Sequence, residues 1–481
     1  MHFKSIFRII GFFSLGFSLI LFLPILVALI YGESEVGHFL IAIAVTALIG
    51  QLFVLLSRGD SHEFTNRDGF LIVAIFWFGL SAIASLPFML SAHLNMVDAL
   101  FEAASGFTTT GATVISGLET LPKSFLFYRQ LLQWLGGMGM IVLAIAVLPM
   151  LGIGGMQLYR AEAPGPFKDE KLTPRLSHTA RYLWVFYVGI TAANALAYWA
   201  AGMTPFDAIA HSFSTVSTGG FSTYDASLGY FQSATIESIA VLFMILGAIN
   251  FSVHFIVWQR RNPIYYFKNI EVRVFLLVIL GAVLIVAVIL KDTGEYPGYT
   301  SSLHNGLFEV VSVITSTGFG TVDFSHWPSF LPVLLIFISF IGGCGGSTAG
   351  GMKVIRIILL TQQGFREVRQ LIHPRAQLPI RVGDRIIQTQ TIQGVWGFFA
   401  IYVFSFVVLM LLLMATGLDQ ISAFSAIATS MNNLGPGLGE VSTSFATVSD
   451  AGKLIAAFAM LLGRLEVFTV LVLLTPEFWK G

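Results

Sequence analysis

Cysteine and charged residues are both scarce in this sequence. Only 11% of the 481 residues are Asp, Glu, Lys or Arg, and Cys344 is the only cysteine. A single cysteine excludes an internal disulfide and a metal site built from several cysteines. Lys plus Arg and Asp plus Glu number 26 each, so a formal net charge of zero indicates neither an acidic nor a basic partner.

Apolar residues fill the place of the missing charge. They make up 56% of the chain, and the mean hydropathy is +0.81. A soluble chain of this length could not bury so much apolar surface, so the composition predicts an all-α polytopic membrane protein. Only Lys4 and Arg8 precede the first apolar stretch and no small-residue cleavage site follows it. We therefore expect that stretch to be a retained span rather than a signal peptide.

Ten stretches are long enough for a helix to cross a bilayer, which takes about 20 apolar residues. They are 7–31, 38–57, 69–91, 125–150, 180–201, 234–258, 273–291, 329–360 (interrupted), 392–415 and 452–475. Most Lys and Arg lie in alternate connections, within 160–181, 260–273 and 353–385. The positive-inside rule therefore predicts that both termini and the linker 361–391 are cytoplasmic.

Four segments on the opposite side align without gaps. They are DALFEAASGFTTTGAT from Asp98, DAIAHSFSTVSTGGFS from Asp207, NGLFEVVSVITSTGFG from Asn305 and SAFSAIATSMNNLGPG from Ser422. Each begins with a helix-capping residue and reaches a glycine 13 positions later. About three helical turns are too short to span, so we predict re-entrant loops in which a half-helix descends and a strand returns. Four ordinary amphipathic loops are the alternative, which the coincidence of all four copies disfavours.

The repeat predicts a domain organisation. Residues 1–66 form a two-helix segment, and pore repeats occupy 67–160, 161–262, 263–385 and 386–481. In each repeat a short pore segment stands between two spans, an M1-P-M2 order. We expect the four repeats to surround one ion pore with pseudo-fourfold symmetry.

The repeated glycine ends a short polar run in every copy. Glycine takes positive φ without a Cβ clash, so four strands can aim rings of carbonyl oxygens at one axis and replace the water of a cation. No carboxylate lies in these runs, which favours a monovalent cation over a divalent one. The hydroxyl groups would brace the strands or add ligands, and the fourth run, NNLG, is chemically different. The predicted filter comprises Thr109, Thr110, Gly111, Ala112, Thr218, Gly219, Gly220, Phe221, Ser316, Thr317, Gly318, Phe319, Asn433, Leu434, Gly435 and Pro436.

Acidic residues recur at the predicted outer mouth. Five positions beyond the glycines stand Ser116, Asp225, Asp323 and Glu440. A partial ring of carboxylates there would raise the local cation concentration, and the effect would weaken with salt. The same residues can equally be solvated acids of surface loops, and the sequence leaves both interpretations open.

The stretch IGGCGGSTAGGMK interrupts the eighth apolar region. Its glycines are Gly342, Gly343, Gly345, Gly346, Gly350 and Gly351, six in ten positions. Aligning it with the regions around 136, 247 and 463 predicts that the helix stops at Gly342 and resumes near Met352, just below the filter. A flexible loop that plugs the pore as a gate is favoured over helix packing through small residues. The residues around Lys353 do not fit a phosphate-binding loop.

Arg464 follows the aligned glycine of the fourth repeat. Arginine near the centre of a span is costly, so we expect it to face the interior and to bind partners. Its donors would hold loop carbonyls while its charge repels cations. A structural pair with Glu466 is the alternative, although residues two apart on a helix point away from each other.

Four pore-loop repeats in one chain, the four filter glycines and the glycine-rich segment 342–351 together resemble the Trk/Ktr/HKT superfamily of potassium transporters. The resemblance implies gated, channel-like K+ uptake across the bacterial inner membrane, with K+ at Gly111, Gly220, Gly318 and Gly435. It also implies a homodimer and a regulatory cytosolic nucleotide-binding ring, with no prosthetic group and no nucleic-acid partner. In plant relatives serine at the first filter glycine goes with sodium preference, so glycine at 111 favours K+.

Two other functions compete with a gated pore. A K+ transporter coupled to H+ or Na+ would bind its ions at broken helices of paired repeats, whereas four pore loops favour a channel architecture. An intramembrane enzyme would need a catalytic pair, but His211 and His254 are isolated histidines in apolar surroundings. We therefore expect no enzymatic activity.

Overall fold

The computed structural model describes residues 3–57, 66–142, 173–383 and 385–480. The predicted boundary at 160/161, and the end of the predicted span 125–150, lie outside these residues. The helices are α1 (Phe3–Ile20), α2 (Phe22–Tyr31), α3 (Val36–Leu56), α4 (Asn66–Ala84), α5 (Leu86–Ser91), α6 (Met96–Phe107), α7 (Lys123–Val142), α8 (Thr173–Ala200), α9 (Pro205–Val216), α10 (Ala234–Ala248), α11 (Phe251–Arg260), α12 (Ile264–Lys268), α13 (Ile270–Asp292), α14 (Tyr299–Ile314), α15 (Leu331–Ser339), α16 (Val354–Ile372), α17 (Thr389–Ala415), α18 (Gln420–Met431), α19 (Asp450–Arg464), α20 (Phe468–Leu473) and α21 (Pro476–Trp479).

Strands are almost absent from the described part of the chain. A two-residue pair in the long linker, β1 (Arg381–Val382) and β2 (Arg385–Ile386), is antiparallel. Within the described ranges, six helical stretches are long and apolar enough to cross a membrane: Ile6–Tyr31, Val36–Leu56, Arg67–Ser91, Tyr182–Ala200, Ile270–Asp292 and Thr389–Ala415. The predicted class, an all-α multi-pass membrane protein, is therefore confirmed.

Two spans predicted as continuous are broken. In 234–258 the chain bends by 98° between α10 and α11, because the Asn250 side chain accepts a hydrogen bond from Ser252 N (2.8 Å) and starts a new helix. In 452–475 helix α19 ends at Arg464, and Glu466 and Val467 take φ of 56° and 54°. Positive φ is incompatible with an α-helix, so the chain restarts at α20. The interruption predicted from Gly342 to Met352 is confirmed, since α15 ends at Ser339 and α16 begins at Val354.

Short helices α6, α9, α14 and α18, here called the pore helices, cover the four aligned segments. The predicted caps are wrong, since Asp98, Asp207, Asn305 and Ser422 all lie inside these helices. The helices begin earlier because Asn95, Thr204 and Asp419 cap them, and Gly298 precedes the third. In two of these helices the cap side chain also donates to the aspartate three residues later: Asn95 Nδ2 to Asp98 Oδ2 (3.0 Å) and Thr204 Oγ1 to Asp207 Oδ2 (2.7 Å).

Two large apolar clusters hold the helices together. One joins the N-terminal helices to the first and fourth predicted repeats, with Phe39, Phe101 and Met460 fully buried in it. The other joins the second and third, around Met244 and Leu335. Each pore helix is thereby packed between longer helices, which fixes the position of its C-terminal end.

A buried ion pair joins the first pore helix to α7. Arg129 Nη2 lies 2.6 Å from Glu102 Oε1, and their side chains are 1% and 0% exposed. Arg129 also donates from Nη1 to Ser222 O (3.3 Å) and stacks on the Phe221 ring at 4.1 Å. Arg129 therefore ties the strand after the first pore helix, through Thr113 Oγ1 (3.1 Å), to the strand after the second, through Ser222 O.

Removing one member of this pair should destabilise the protein strongly. We expect Glu102→Gln or Arg129→Met alone to cost about 3–5 kcal/mol, because the remaining charge stays buried without its partner. The double variant should recover much of that loss. Thermal unfolding of purified protein in detergent measures both effects, with the exposed carboxylate variant Asp292→Asn as control. Single variants that melt with the unmodified protein would contradict the assignment.

Candidate ion pore

All four pore helices end in the same way. The residue after the C-cap takes a left-handed conformation at Thr109, Thr218, Ser316 and Asn433, with φ between 52° and 55°. The next N–H donates to a carbonyl five residues back: Thr110 to Ser105 (2.8 Å), Gly219 to Ser214 (2.8 Å), Thr317 to Ser312 (2.9 Å) and Leu434 to Thr429 (2.8 Å). This is a Schellman motif, which normally uses glycine at the left-handed position. Its fourfold recurrence with larger residues gives all four strands the same starting direction.

Each aligned glycine lies against the backbone of the next segment. The φ values are 82° at Gly111, 80° at Gly220, 77° at Gly318 and 96° at Gly435, so the predicted positive φ is confirmed. A Cβ on these glycines would lie 2.2 Å from Gly219 O, 1.9 Å from Thr317 O, 1.9 Å from Leu434 O and 2.7 Å from Thr110 O, respectively. The first segment thus touches the second, the second the third, the third the fourth, and the fourth the first. The four segments meet in a closed ring.

Hydroxyl groups in the polar runs bond within the protein. Thr108 Oγ1 lies 2.7 Å from Thr110 Oγ1, and Thr315 Oγ1 lies 2.7 Å from Thr317 Oγ1. Because Thr108 also donates to Ala104 O (2.7 Å), these groups brace the strand against its pore helix. Of the two uses left open by the sequence, bracing fits these four side chains.

Two amide side chains fix strands in ways that the sequence did not indicate. Gln133, fully buried on α7, donates from Nε2 to Gly219 O (2.6 Å) and accepts from Phe221 N (3.0 Å). In the distinct fourth run, Asn433 Nδ2 donates to Thr110 Oγ1 and to Met460 O, both at 3.0 Å. The ring is therefore chemically irregular at its second and fourth segments.

A cavity of about 490 Å³ opens on the outer side of the ring. All four glycines line it, together with Asp225 and Asp323. Asp225 accepts from Gly117 N (2.6 Å) and Leu118 N (3.0 Å), and so holds the short 3-10 turn Leu118–Thr120.

The partial ring of mouth carboxylates stays a prediction, and two of its three acids, Asp225 and Asp323, line the cavity. Asp323 caps another 3-10 turn, Phe324–His326, through Ser325 N (2.9 Å). Glu440 is exposed and is not among the residues that line the cavity. Equal spacing in sequence did not give equal placement because each outer connection folds into its own turn.

Glu309 is a cavity residue that the sequence analysis missed. It lies in the third pore helix, is 1% exposed and lines the outer cavity. The signal was available, because FEAAS in the first repeat and FEVVS in the third place a glutamate nine residues before the glycine.

On the inner side, the loop between α15 and α16, residues 340–353, packs directly beneath the ring. Thr348 Oγ1 lies 3.0 Å from both Val216 O and Gly247 O, and Gly350 N donates to Ser316 Oγ at 2.5 Å. The loop therefore bonds the end of the second pore helix and the left-handed residue of the third strand.

Glycine is required at several positions of this loop. Gly342, Gly346 and Gly351 have φ of 69°, 68° and 75°. A Cβ on Gly350 would lie 2.0 Å from Asn432 O, in the fourth segment, and one on Gly343 would lie 2.6 Å from Ala349 Cβ. The loop is thus a compact segment whose backbone lies close enough to the fourth segment to leave no room for a side chain at position 350.

Arg464 reaches this loop as predicted. Its side chain is 1% exposed, Nη1 donates to Thr348 O (2.9 Å), and Nη2 donates to Gly136 O (3.1 Å). The alternative pairing is contradicted, since Glu466 Oε2 binds Arg356 Nη2 at 2.5 Å.

A second polar anchor of the loop was not foreseen. Glu271 Oε1, at the start of α13, accepts from Gly345 N (2.7 Å) and Ile355 N (3.2 Å). Lys353 donates from Nζ to Ala349 O within the loop. Glu271 and Lys353 therefore hold the middle and the C-terminal part of the loop in addition to Arg464.

The two isolated histidines have ordinary partners. His211 bonds Asp207 O and Ser222 Oγ, both at 2.9 Å, while His254 bonds Tyr266 Oη (2.8 Å) and Leu246 O (2.9 Å). Across the described ranges no three His, Cys, Asp or Glu side chains are grouped to hold a metal ion. The histidines act as packed core residues.

Comparisons with known proteins agree with this architecture. Residues 36–480 match the TrkH family, described as "Cation transport protein". The Trk system potassium uptake protein TrkH of Vibrio parahaemolyticus is 51% identical over 485 residues, and that of Escherichia coli K12 is 48% identical over 482, each match covering 100% of both chains. The crystal structure of the potassium transporter TrkH from Vibrio parahaemolyticus has a TM-score of 0.93 at 49% identity, again over 100% of both chains.

These names describe transporters, in agreement with the expectation that the chain is not an enzyme. A family match over nearly the whole sequence, with about half of all residues identical to full-length relatives, has a direct consequence: this chain belongs to the TrkH family of cation transport proteins.

Proposed function

We propose that this protein takes up K+ through a selective, gated, channel-like pore in the bacterial inner membrane. The observation that carries the proposal is the closed ring of four glycine segments between an outer cavity and a glycine-rich plug. The names of the relatives support K+ as the transported ion. Two N-terminal helices and four pore repeats, with the boundaries given above, are the units of this design.

Selectivity arises at the ring. Strands that begin with the same left-handed residue and turn again at the glycine present successive carbonyl oxygens to one axis. Such rings replace the hydration shell of K+, and the C-terminal ends of the pore helices add negative potential at the same place. K+ therefore binds near Gly111, Gly220, Gly318 and Gly435.

Gating resides in the loop 342–351. The loop occupies the inner side of the ring, and Arg464 holds it through Thr348 O while placing a positive charge on the ion path. Displacing the loop opens the conduit and removes that contact. A pull from the cytoplasmic side through α16 is the direct route, because α16 begins where the loop ends.

The assembly has further partners. We propose a homodimer in the lipid bilayer with both termini cytoplasmic, regulated by a cytosolic nucleotide-binding ring. The distribution of Lys and Arg along the sequence supports the orientation, and the phrase "Trk system" in the relatives' names supports additional components.

A K+ transporter coupled to H+ or Na+ is the alternative mechanism. Reversal potentials that follow the K+ gradient alone, at any H+ or Na+ gradient, support the channel; a shift with either co-ion supports coupling.

Filling the ring should abolish selective conduction. We expect Gly318→Ala to lower K+ flux about tenfold or more, because a Cβ there would meet Leu434 O at 1.9 Å and disturb the carbonyl ring. Gly320→Ala is the matched control, since its nearest neighbour would be Val322 O at 3.8 Å. Isotope uptake into liposomes containing each purified variant measures the difference, and equal loss in both variants would refute a special role for the ring.

Releasing the plug should open the pore. We expect deletion of 345–350, or Arg464→Ala, to raise K+ flux about tenfold without any regulator, because the loop loses the contact that holds it beneath the ring. Glu477→Gln, an exposed change near the C-terminus, serves as control. Flux through liposomes that matches the unmodified protein would count against the gate.

A further inference from the structure

One buried carboxylate beside the ring differs from its three counterparts. Nine residues before the glycines stand Glu102, His211, Glu309 and Ala426. Glu102 is neutralised by Arg129 at 2.6 Å, His211 bonds neutral oxygen atoms, and alanine carries no polar group. Glu309 has no Lys, Arg or His within ion-pair distance in the described chain. Among these four aligned positions, only that of the third repeat therefore carries an acid without a positively charged partner.

The hydrogen bonds of Glu309 use only one of its oxygens. Oε1 accepts from Thr321 N (2.9 Å), Thr321 Oγ1 (3.1 Å) and Val322 N (3.3 Å). Oε2 accepts none from the residues that the structure describes. Glu309 is only 1% exposed, so water compensates little of its charge, and a cation beside the remaining oxygen would stabilise it.

The cavity supplies the place for that partner. Glu309 lines the outer cavity of about 490 Å³ together with Gly318 and the other ring glycines, so an ion there is next to the ring. Asp225, on the same wall, already accepts two backbone N–H groups. Asp323 accepts from Ser325 N and lies 3.0 Å from His326 Nδ1. Glu309 is thus the buried carboxylate of the cavity with a free oxygen.

We propose that Glu309 forms an outermost binding site for the incoming monovalent cation, above the ring and on the side of the third repeat. A divalent ion would require several carboxylate oxygens, and the described residues contain no cluster of three potential metal ligands. A monovalent ion that is held by one carboxylate oxygen and by water molecules can leave this site and enter the ring. The site rests on the proposed function, since the cation it holds is the K+ that enters the pore.

The test is the K+ dependence of flux in Glu309→Gln, measured on the purified full-length protein in liposomes. Glutamine retains the acceptor for Thr321 N but removes the charge. We expect the half-saturating K+ concentration to rise about threefold to tenfold, with maximal flux within about twofold, because the local K+ concentration falls while the ring is unchanged. Asp323→Asn is the matched control and should shift the constant by less than about twofold.

Ionic strength separates a buried site from a diffuse surface field. In a high concentration of an impermeant salt, the shift caused by Glu309→Gln should persist, whereas any shift caused by Asp323→Asn should vanish. An unchanged half-saturating concentration in Glu309→Gln overturns the inference, and so does a loss of maximal flux at unchanged half-saturation, which would make the residue purely structural.

A second variant covers the case in which the glutamine protein does not fold. Glu309→Asp keeps the charge but shortens its reach by one methylene, and should raise the half-saturating concentration at least about twofold. An unchanged constant in this variant also overturns the inference. Unmodified protein that carries no K+ would refute the proposed function instead, so the two failures are distinguishable.

Discussion

The architecture depends on one contact repeated four times: a residue without a side chain lies against the carbonyl oxygen of the neighbouring segment. With a hypothetical Cβ only 1.9 to 2.7 Å from that oxygen, no other amino acid fits. The same four residues also adopt a left-handed backbone conformation, which is unfavourable for a residue with a Cβ atom. Glycine is therefore required at these positions for a second reason. Glycine thus allows both the close contact and the backbone turn. The ring closes only when all four segments have a glycine at this position.

Much of the remaining structure holds that contact in place. Each strand is aimed by a Schellman turn at the end of a pore helix, and the pore helices are capped and packed between longer helices. Cross-links differ from segment to segment: the pair of Glu102 and Arg129, the amide of Gln133 and the amide of Asn433 each tie one segment to its surroundings. The four segments share the same backbone turn and the same left-handed glycine, whereas the side chains that hold them differ.

The sequence predicted the elements that follow from periodicity and composition. The membrane class, the four short pore helices, positive φ at the glycines, the interruption at Gly342 and the contact of Arg464 with a loop carbonyl are all found. Features that depend on a single side chain were missed. Asn250 starts a new helix at a 98° bend inside an apolar run, and the three side-chain caps, Asn95, Thr204 and Asp419, lie three residues ahead of the residues that the alignment selected.

Buried charges were the hardest to place, because a hydropathy profile treats every acid as a solvent-facing residue. Glu102, Glu271 and Glu309 all lie in helices, and each owes its position to backbone N–H groups or an arginine distant in sequence. Of the three mouth acids, Asp225 and Asp323 line the outer cavity and each holds a 3-10 turn, whereas Glu440 is not among the lining residues.

We propose that the four segments coordinate one dehydrated cation on a common axis. Diffraction from crystals grown with Tl+, a heavy analogue of K+, tests this coordination through the anomalous signal of the ion. We expect a peak at the ring, about 3 Å from carbonyl oxygens of all four segments. An ordered ring without such a peak, or with Tl+ bound only to side chains elsewhere, would contradict it.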